Sequence, residues 1–288
     1  MSSSNEAARR ENVTRNQGMV FQLCVLDPTR SDAAAIKDRI VDLQSQCFLR
    51  PDGADIAFHQ PGTKLKSIFH DWTETCFVFV ERIDRETGAV EIISGLNLVR
   101  MSRTHPFDVL TGNKLTGLDY SFFYTRHFVV PDAEHLGIGR FGVAATMLLA
   151  WSEKAHYLEA LILRKLRLKQ FLLGALHFKL AARDRYVPPQ GDVAEVRCDF
   201  QDGHPVDLLP IWAPIDDRSL ASAWYQMQQI SSGLKRDIGV EVKFDDCFTA
   251  ALESCGVTPD DLRASDFESP RPRRSAFARP EHARTHVA

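Results

Sequence analysis

The chain has 288 residues, 44% hydrophobic and 25% charged, with 35 Lys and Arg against 38 Asp and Glu, for a formal charge of −3. This is the make-up of an ordinary globular protein, one large domain or one domain with an extension, and nothing in it points to a nucleic-acid binder or an acidic-membrane binder. No apolar run approaches a membrane span, no charged-then-apolar secretory start is present, and the six cysteines (Cys24, Cys47, Cys76, Cys198, Cys247, Cys255) form no C-x-x-C. They read as buried thiols of a reducing compartment, with the cytoplasm as the expected location and no metal expected.

Met1 to Gln17 is polar and reads as disordered. Met19 to Leu26 alternates as a first strand, broken by Asp27 and Pro28. Ser31 or Asp32 can cap a helix in which Ile36, Ile40, Leu43 and Cys47 share a face. Residues 50–71 form a long polar connection, and its His59 and His70 lack the spacing of metal ligands. Thr75 to Ile83 and Ala89 to Met101 flank a Gly88 turn and predict a hairpin, with Gly95 marking a bulge or a close backbone approach. Arg100 and Arg103 either face a substrate or end the strand in solvent. A second long connection runs from Ser102 to Tyr120.

The central stretch follows. Ser121 to Val130 is rich in aromatic and β-branched residues and suits a strand buried on both faces. Pro131 ends it, Gly137 and Gly139 punctuate a loop, and Phe141, Ala144, Leu148, Trp151 and Ala155 recur at helical spacing. A loop that feeds a helix start gathers unpaired N–H groups at the positive end of the helix dipole, which suits an anion such as phosphate. The glycine spacing is neither the dinucleotide fingerprint nor the Walker loop. The alternative is a plain crossover whose glycines serve tight packing.

Further on, Tyr157 to Leu163 reads as a strand and Arg164 to Leu173 as a basic helix, ended by Gly174. Leu176 to Ala182 and Val193 to Phe200 read as strands. Asp217 to Arg236 predicts a helix with Leu220, Trp224, Met227 and Leu234 on one face, Ser219 near its start and Gly239 after its end. Cys247 to Cys255 continues as a short helix, and both helices read as packing elements beside the core. From Ser265 the chain is a flexible basic tail.

The run Val129, Val130, Pro131, then Gly137, Ile138, Gly139, Arg140 resembles motif A of the GNAT acyltransferase superfamily. Element order extends the likeness to about residues 19–185. Glu134 stands where that family carries Arg or Gln. The resemblance implies an α/β fold with a mixed twisted sheet flanked by helices, followed here by a helical C-terminal extension. It implies domains at 18–206 for the acyltransferase, 207–264 for the extension and 265–288 for the tail, after the disordered 1–17. It also implies a pantetheine thioester as co-substrate, held by Phe128, Val129, Val130, Leu136, Gly137, Ile138, Gly139 and Arg140. The Pro188 to Pro205 region and the Thr125–Arg126 pair are similar to acyl-homoserine-lactone synthases and N-acyl amino acid synthases. The glutamate of their E-x-S-R strand would fall at Phe123 or Phe122.

Acyl transfer from a thioester to an amine needs proximity, a polarised carbonyl and proton movement, and no covalent intermediate. The family's usual acid, a tyrosine in the helix after the fifth strand, has Phe171 in its place. Tyr124 is the candidate for proton transfer and Arg126 for orienting a substrate, on one strand face with His127 on the other. Equally, Tyr124 is a core ring and Arg126 a buried ion-pair partner. The expected function is acyl transfer from acyl-CoA or an acyl carrier protein to a small amine. The alternatives are a long-chain N-acyl amino acid or lactone-signal synthase, and a GNAT-fold protein that binds without turnover. The cations Arg164, Lys165, Arg167 and Lys169 are either a solvated face or a dock for a phosphate or an acidic carrier protein.

Overall fold

The computed structural model describes residues 14–48, 75–100, 121–163, 168–180 and 208–255. The elements are β1 (Met19–Val25), α1 (Ala33–Phe48), β2 (Thr75–Asp84), β3 (Val90–Arg100), β4 (Ser121–Val129), α2 (Ile138–Ser152), β5 (Tyr157–Leu163), α3 (168–175), β6 (Lys179–Leu180), β7 (Leu208–Pro214), α4 (Asp217–Ile238), β8 (Glu241–Phe244) and α5 (Asp246–Glu253). The strands make one sheet in the order β6-β7-β5-β4-β3-β2-β1-β8. β4 runs parallel to β5 and β1 parallel to β8, and the other neighbours are antiparallel. This is the open mixed sheet flanked by helices that the sequence predicts.

The hydrophobic pattern explains the layers. β4 is buried from Ser121 to Tyr124, and α2 is buried along nearly its whole length, from Ile138 to Trp151. α2 therefore lies against the sheet with α4 packed over it. α1 covers the opposite face, where Gln44 Nε2 donates to Asn97 Oδ1 across 3.1 Å. Asp32 holds the cap position expected of it, since its carbonyl accepts the first helical bond, from Ile36 N at 3.0 Å.

Several expectations change. Residues 14–17, expected within the disordered N-terminus, include a helical turn, and Asn16 is fully buried with Nδ2 donating to the Asp132 carbonyl at 3.2 Å. The helix expected to stop at Gly174 runs to Ala175, its last turn widened to π geometry. The strand expected from Leu176 is, among the described residues, only Lys179–Leu180, because His177 takes a positive φ of 58° first. Ser219 lies near the start of α4 as expected, and Asp216 caps it, its carboxylate accepting from Ser219 N at 2.9 Å.

The segment expected as a helical extension also supplies two strands that the sequence reading missed. β7 carries Pro210 and Pro214 and is too proline-rich to read as a strand, yet it pairs with β5 along its length. β8 is only four residues long and borders β1. Phe244 stacks between Phe141 of α2 and Phe248 of α5, at centroid distances of 6.3 and 5.1 Å. The C-terminal elements are thus part of the sheet and core. The strand expected at 193–200, the two long connections with His59, His70 and Arg103, the run 164–167 and the basic tail lie outside the described residues.

Candidate functional site

Two irregularities open the middle of the sheet. β4 and β5 pair only from Ser121↔Tyr157 to Tyr124↔Ala160. Beyond that point β5 continues against β7 as far as Leu163, while β4 continues against β3 alone. The two central strands therefore part, leaving one edge of β4 without a strand partner among the described residues. The second irregularity is a bulge: Gly95 pairs with Phe128, but Asn97 pairs with Thr125, so β4 carries one extra residue across Arg126 and His127.

The bulge corrects the predicted facing of the side chains. Strict alternation puts His127 opposite Tyr124. With one residue inserted, both turn toward α2, their rings meeting edge to face with centroids 6.1 Å apart. The close approach predicted at Gly95 is present, since a Cβ there would come 2.8 Å from Phe128 Cε1. Arg126 lies within the bulge, and its side chain is outside the described set. Tyr124 is 4% exposed, and burial pushes its phenol above the ordinary tyrosine range. That places it among the core rings, the alternative that the sequence left open.

The loop after β4 makes a single 3-10 turn over Pro131–Ala133, and Gly137 then caps α2 in the left-handed region, with φ 85° and no side chain supplying a cap bond. The first intrahelical bond is Phe141 N to Gly137 O at 2.9 Å. The N–H groups of Ile138, Gly139 and Arg140 precede it and have no helical acceptor. Gly139 serves the tight packing that the sequence offers as the alternative. A Cβ on it would lie 3.1 Å from His127 Cε1 and 3.2 Å from Val129 Cγ2, so its bareness lets the helix settle on β4. Arg140 is exposed, its guanidinium 5.8 Å over the Phe171 ring of α3.

Of the predicted backbone contacts, Val130 is already engaged: its N–H donates to Ile93 O at 2.9 Å. Val129, opposite Ser94, is the alternate position and turns its N–H and carbonyl away from β3, toward the parted edge. Its carbonyl accepts the Cys47 thiol at 3.6 Å. The Phe128 carbonyl accepts from Ser94 Oγ at 2.8 Å. Leu136 is partly buried against the core.

The sequence reading missed what holds the loop. Arg82 of β2 is buried, with Nη2 2.9 Å from Asp132 Oδ2 and also paired with Glu91, and Nη1 3.1 Å from Asn16 Oδ1. Arg15 adds a contact to Asp132 at 3.3 Å. Two cations thus offset the Asp132 carboxylate within the loop. The only sequence signal is a charged residue at an inward position of a strand. Glu134 closes the 3-10 turn, its N–H on Pro131 O at 3.3 Å. Arg100 pairs with Glu153 at 2.6 Å and lies over Phe122, at the exposed end of the strand. Among the described residues no group of three or more His, Cys, Asp or Glu is placed to hold a metal ion.

Several solved structures resemble the chain. The CoA-dependent acyl-homoserine lactone synthase MesI is 14% identical, with a TM-score of 0.49 over 78% of this chain and 99% of its own. BjaI, a second such synthase, solved with SAM and isopentyl-CoA, is 12% identical, with a TM-score of 0.49 over 80% and 98%. An acetyltransferase from Streptococcus agalactiae 2603 is 15% identical, with a TM-score of 0.39 over 69% and 99%. The structural neighbours are acyl-homoserine lactone synthases and acetyltransferases. No family model matches the chain, and no curated protein matches it by sequence. No described helix is long and apolar enough to cross a membrane.

Proposed function

We propose that the chain is an acyltransferase that moves an acyl group from a pantetheine thioester, acyl-CoA or an acyl carrier protein, to an amine. One observation carries the reading: the parting of β4 from β5 lies directly before the side-chain-free cap of α2. An extended arm that ends in phosphate meets both needs of this site. Its amide groups can bond the open edge of β4 at Val129, and its phosphates can take the N–H groups of Ile138, Gly139 and Arg140. Phe128 and Leu136 wall the path, Gly137 shapes the turn, and Val130 contributes packing only. Arg126 is the residue proposed to orient a substrate. Tyr124, buried beside His127, is the residue proposed for proton transfer. Among the described residues Cys24, Cys47, Cys76, Cys247 and Cys255 form no disulfide, which supports a cytoplasmic setting.

The test is thermal stabilisation by CoA and by acyl-CoA thioesters of increasing chain length, at low and high salt, followed by thiol release with a panel of amines. A rise in Tm with CoA, together with thiol release, supports the enzyme. Stabilisation without release favours the binding protein, and a preference for long chains favours the synthase-like activity. No stabilisation by any thioester removes the proposal.

A further inference from the structure

Resting on the thioester-donor reading, we propose that His127 is a catalytic hydrogen-bond donor of this site, its Nδ1–H bonding the acyl carbonyl oxygen of the thioester at the bulge where β4 leaves β5. The argument begins with the ring's two nitrogens. Nε2 is a buried atom with no hydrogen-bond partner among the described residues. The Cε1–Nε2 edge faces α2: Cε1 lies 3.1 Å and Nε2 3.4 Å from the Cβ position of Gly139, and Nε2 lies 4.0 Å from that of Gly142.

A buried N–H left without an acceptor is rarer in folded proteins than a buried acceptor left without a donor. The proton therefore belongs on Nδ1, and the bare lone pair on Nε2. Of the two ring nitrogens Nε2 is the one buried without a partner, and the residue keeps some exposure, so Nδ1 is the nitrogen left to reach a ligand. Burial pushes the imidazole down to about 4, which keeps it neutral at ordinary pH. A neutral imidazole is a poor base for an ammonium ion, but it can donate to a developing oxyanion without exchanging protons.

The bulge explains why this residue and not a neighbour. It lies between Thr125 and Phe128, in the part of β4 that no longer pairs with β5, and it turns His127 onto the face that carries Tyr124 and α2. Val130 cannot contribute its amide to the carbonyl, because Ile93 holds it. The chemistry balances without His127 changing charge: the amine nitrogen bonds the acyl carbon, the C–S bond breaks, and the proton lost by the amine ends on the departing thiol. His127 holds the oxygen while it bears charge and keeps its own proton throughout.

The test is NMR of the full chain with 15N-labelled histidine, the His127 signals assigned by their loss in His127→Asn. CoA is compared with a carba analogue of acyl-CoA, in which a methylene replaces the sulfur and the carbonyl remains. The expected result is a neutral ring protonated on Nδ1, whose Nδ1–H signal moves downfield with the acyl analogue and stays put with CoA, while both ligands raise Tm. A ring protonated on Nε2, or a signal that a bound analogue leaves unmoved, overturns the His127 assignment and spares the donor reading. If neither ligand binds, the donor reading falls and the His127 role falls with it.

Discussion

Arg82 and Asp132 join the β2–β3 hairpin to the loop that precedes α2, with Nη2 and Oδ2 2.9 Å apart. Arg82 is 6% exposed and carries Asn16 and Glu91 on the same guanidinium. Removing the cation while leaving the carboxylates strands charge near the interior, which typically costs more than the intact pair contributes. Arg82→Met is expected to lower stability by about 3 kcal/mol, within the range for breaking a largely buried pair. Urea unfolding measures it. A change below about 0.5 kcal/mol, the scale of ordinary surface substitutions, would contradict the joint.

Two glycines predict opposite signs. A Cβ at Gly95 would sit 2.8 Å from Phe128 Cε1 and 3.5 Å from Phe79 Cβ, so Gly95→Ala must push a buried ring aside. Overpacking of that kind costs about 1–3 kcal/mol. At Gly174, in the helical turn after β5, a Cβ meets nothing within 4 Å and φ is not positive. Gly174→Ala is expected to stabilise by about 0.5–1 kcal/mol through helix propensity and a stiffer unfolded chain. The pair is read by thermal unfolding of the two variants beside the parent.

His127 makes stability depend on acid. Its imidazole sits at about 4 in the fold against 6.5 when unperturbed, with desolvation as the cause. The unfolded chain therefore binds the proton first, and the folded state loses stability as pH falls from 6.5 toward 4. Above 6.5 the contribution is fully present. A shift of this size corresponds to at most about 3 kcal/mol. His127→Asn cannot titrate, so its unfolding free energy should fall less across that window than the parent's. Parallel slopes for the two proteins would refute the assignment.

Asp245 fastens two elements at once. Oδ1 accepts from Phe248 N at 2.7 Å, capping α5, and Oδ2 accepts from Val25 N at 2.7 Å, at the end of β1. Asp245→Ala removes the cap and leaves Val25 N–H, in a partly buried place, without its partner. A loss of about 2 kcal/mol is expected, the sum of a cap and one unmade hydrogen bond. Asp245→Asn keeps one oxygen acceptor and should lose less, which equilibrium denaturation of both variants decides.

Much of the fold was legible in the chain because local rules set it. The alternation of Met19 to Leu26, the turn at Gly88, the stop at Pro131 and the stripe of Leu220, Trp224, Met227 and Leu234 all act over a few residues. So does the loop-to-helix start at Gly137, which by itself suggests an anion site. β7 and β8 were not legible. Pro210 and Pro214 obscure one, and the other is too short to show a period; long-range pairing alone makes them strands.

What the sequence determined by itself is the cast: a buried strand, a glycine-marked loop and an apolar helix in that order. Tertiary structure alone decided how far β4 and β5 stay together, where β4 takes its extra residue, and which face His127 joins. A register shift of one residue leaves composition and spacing untouched and yet reverses every side chain beyond it. That shift depends on what β3 and α2 can accommodate at Gly95 and Gly139, contacts between residues far apart in the chain that no local pattern records.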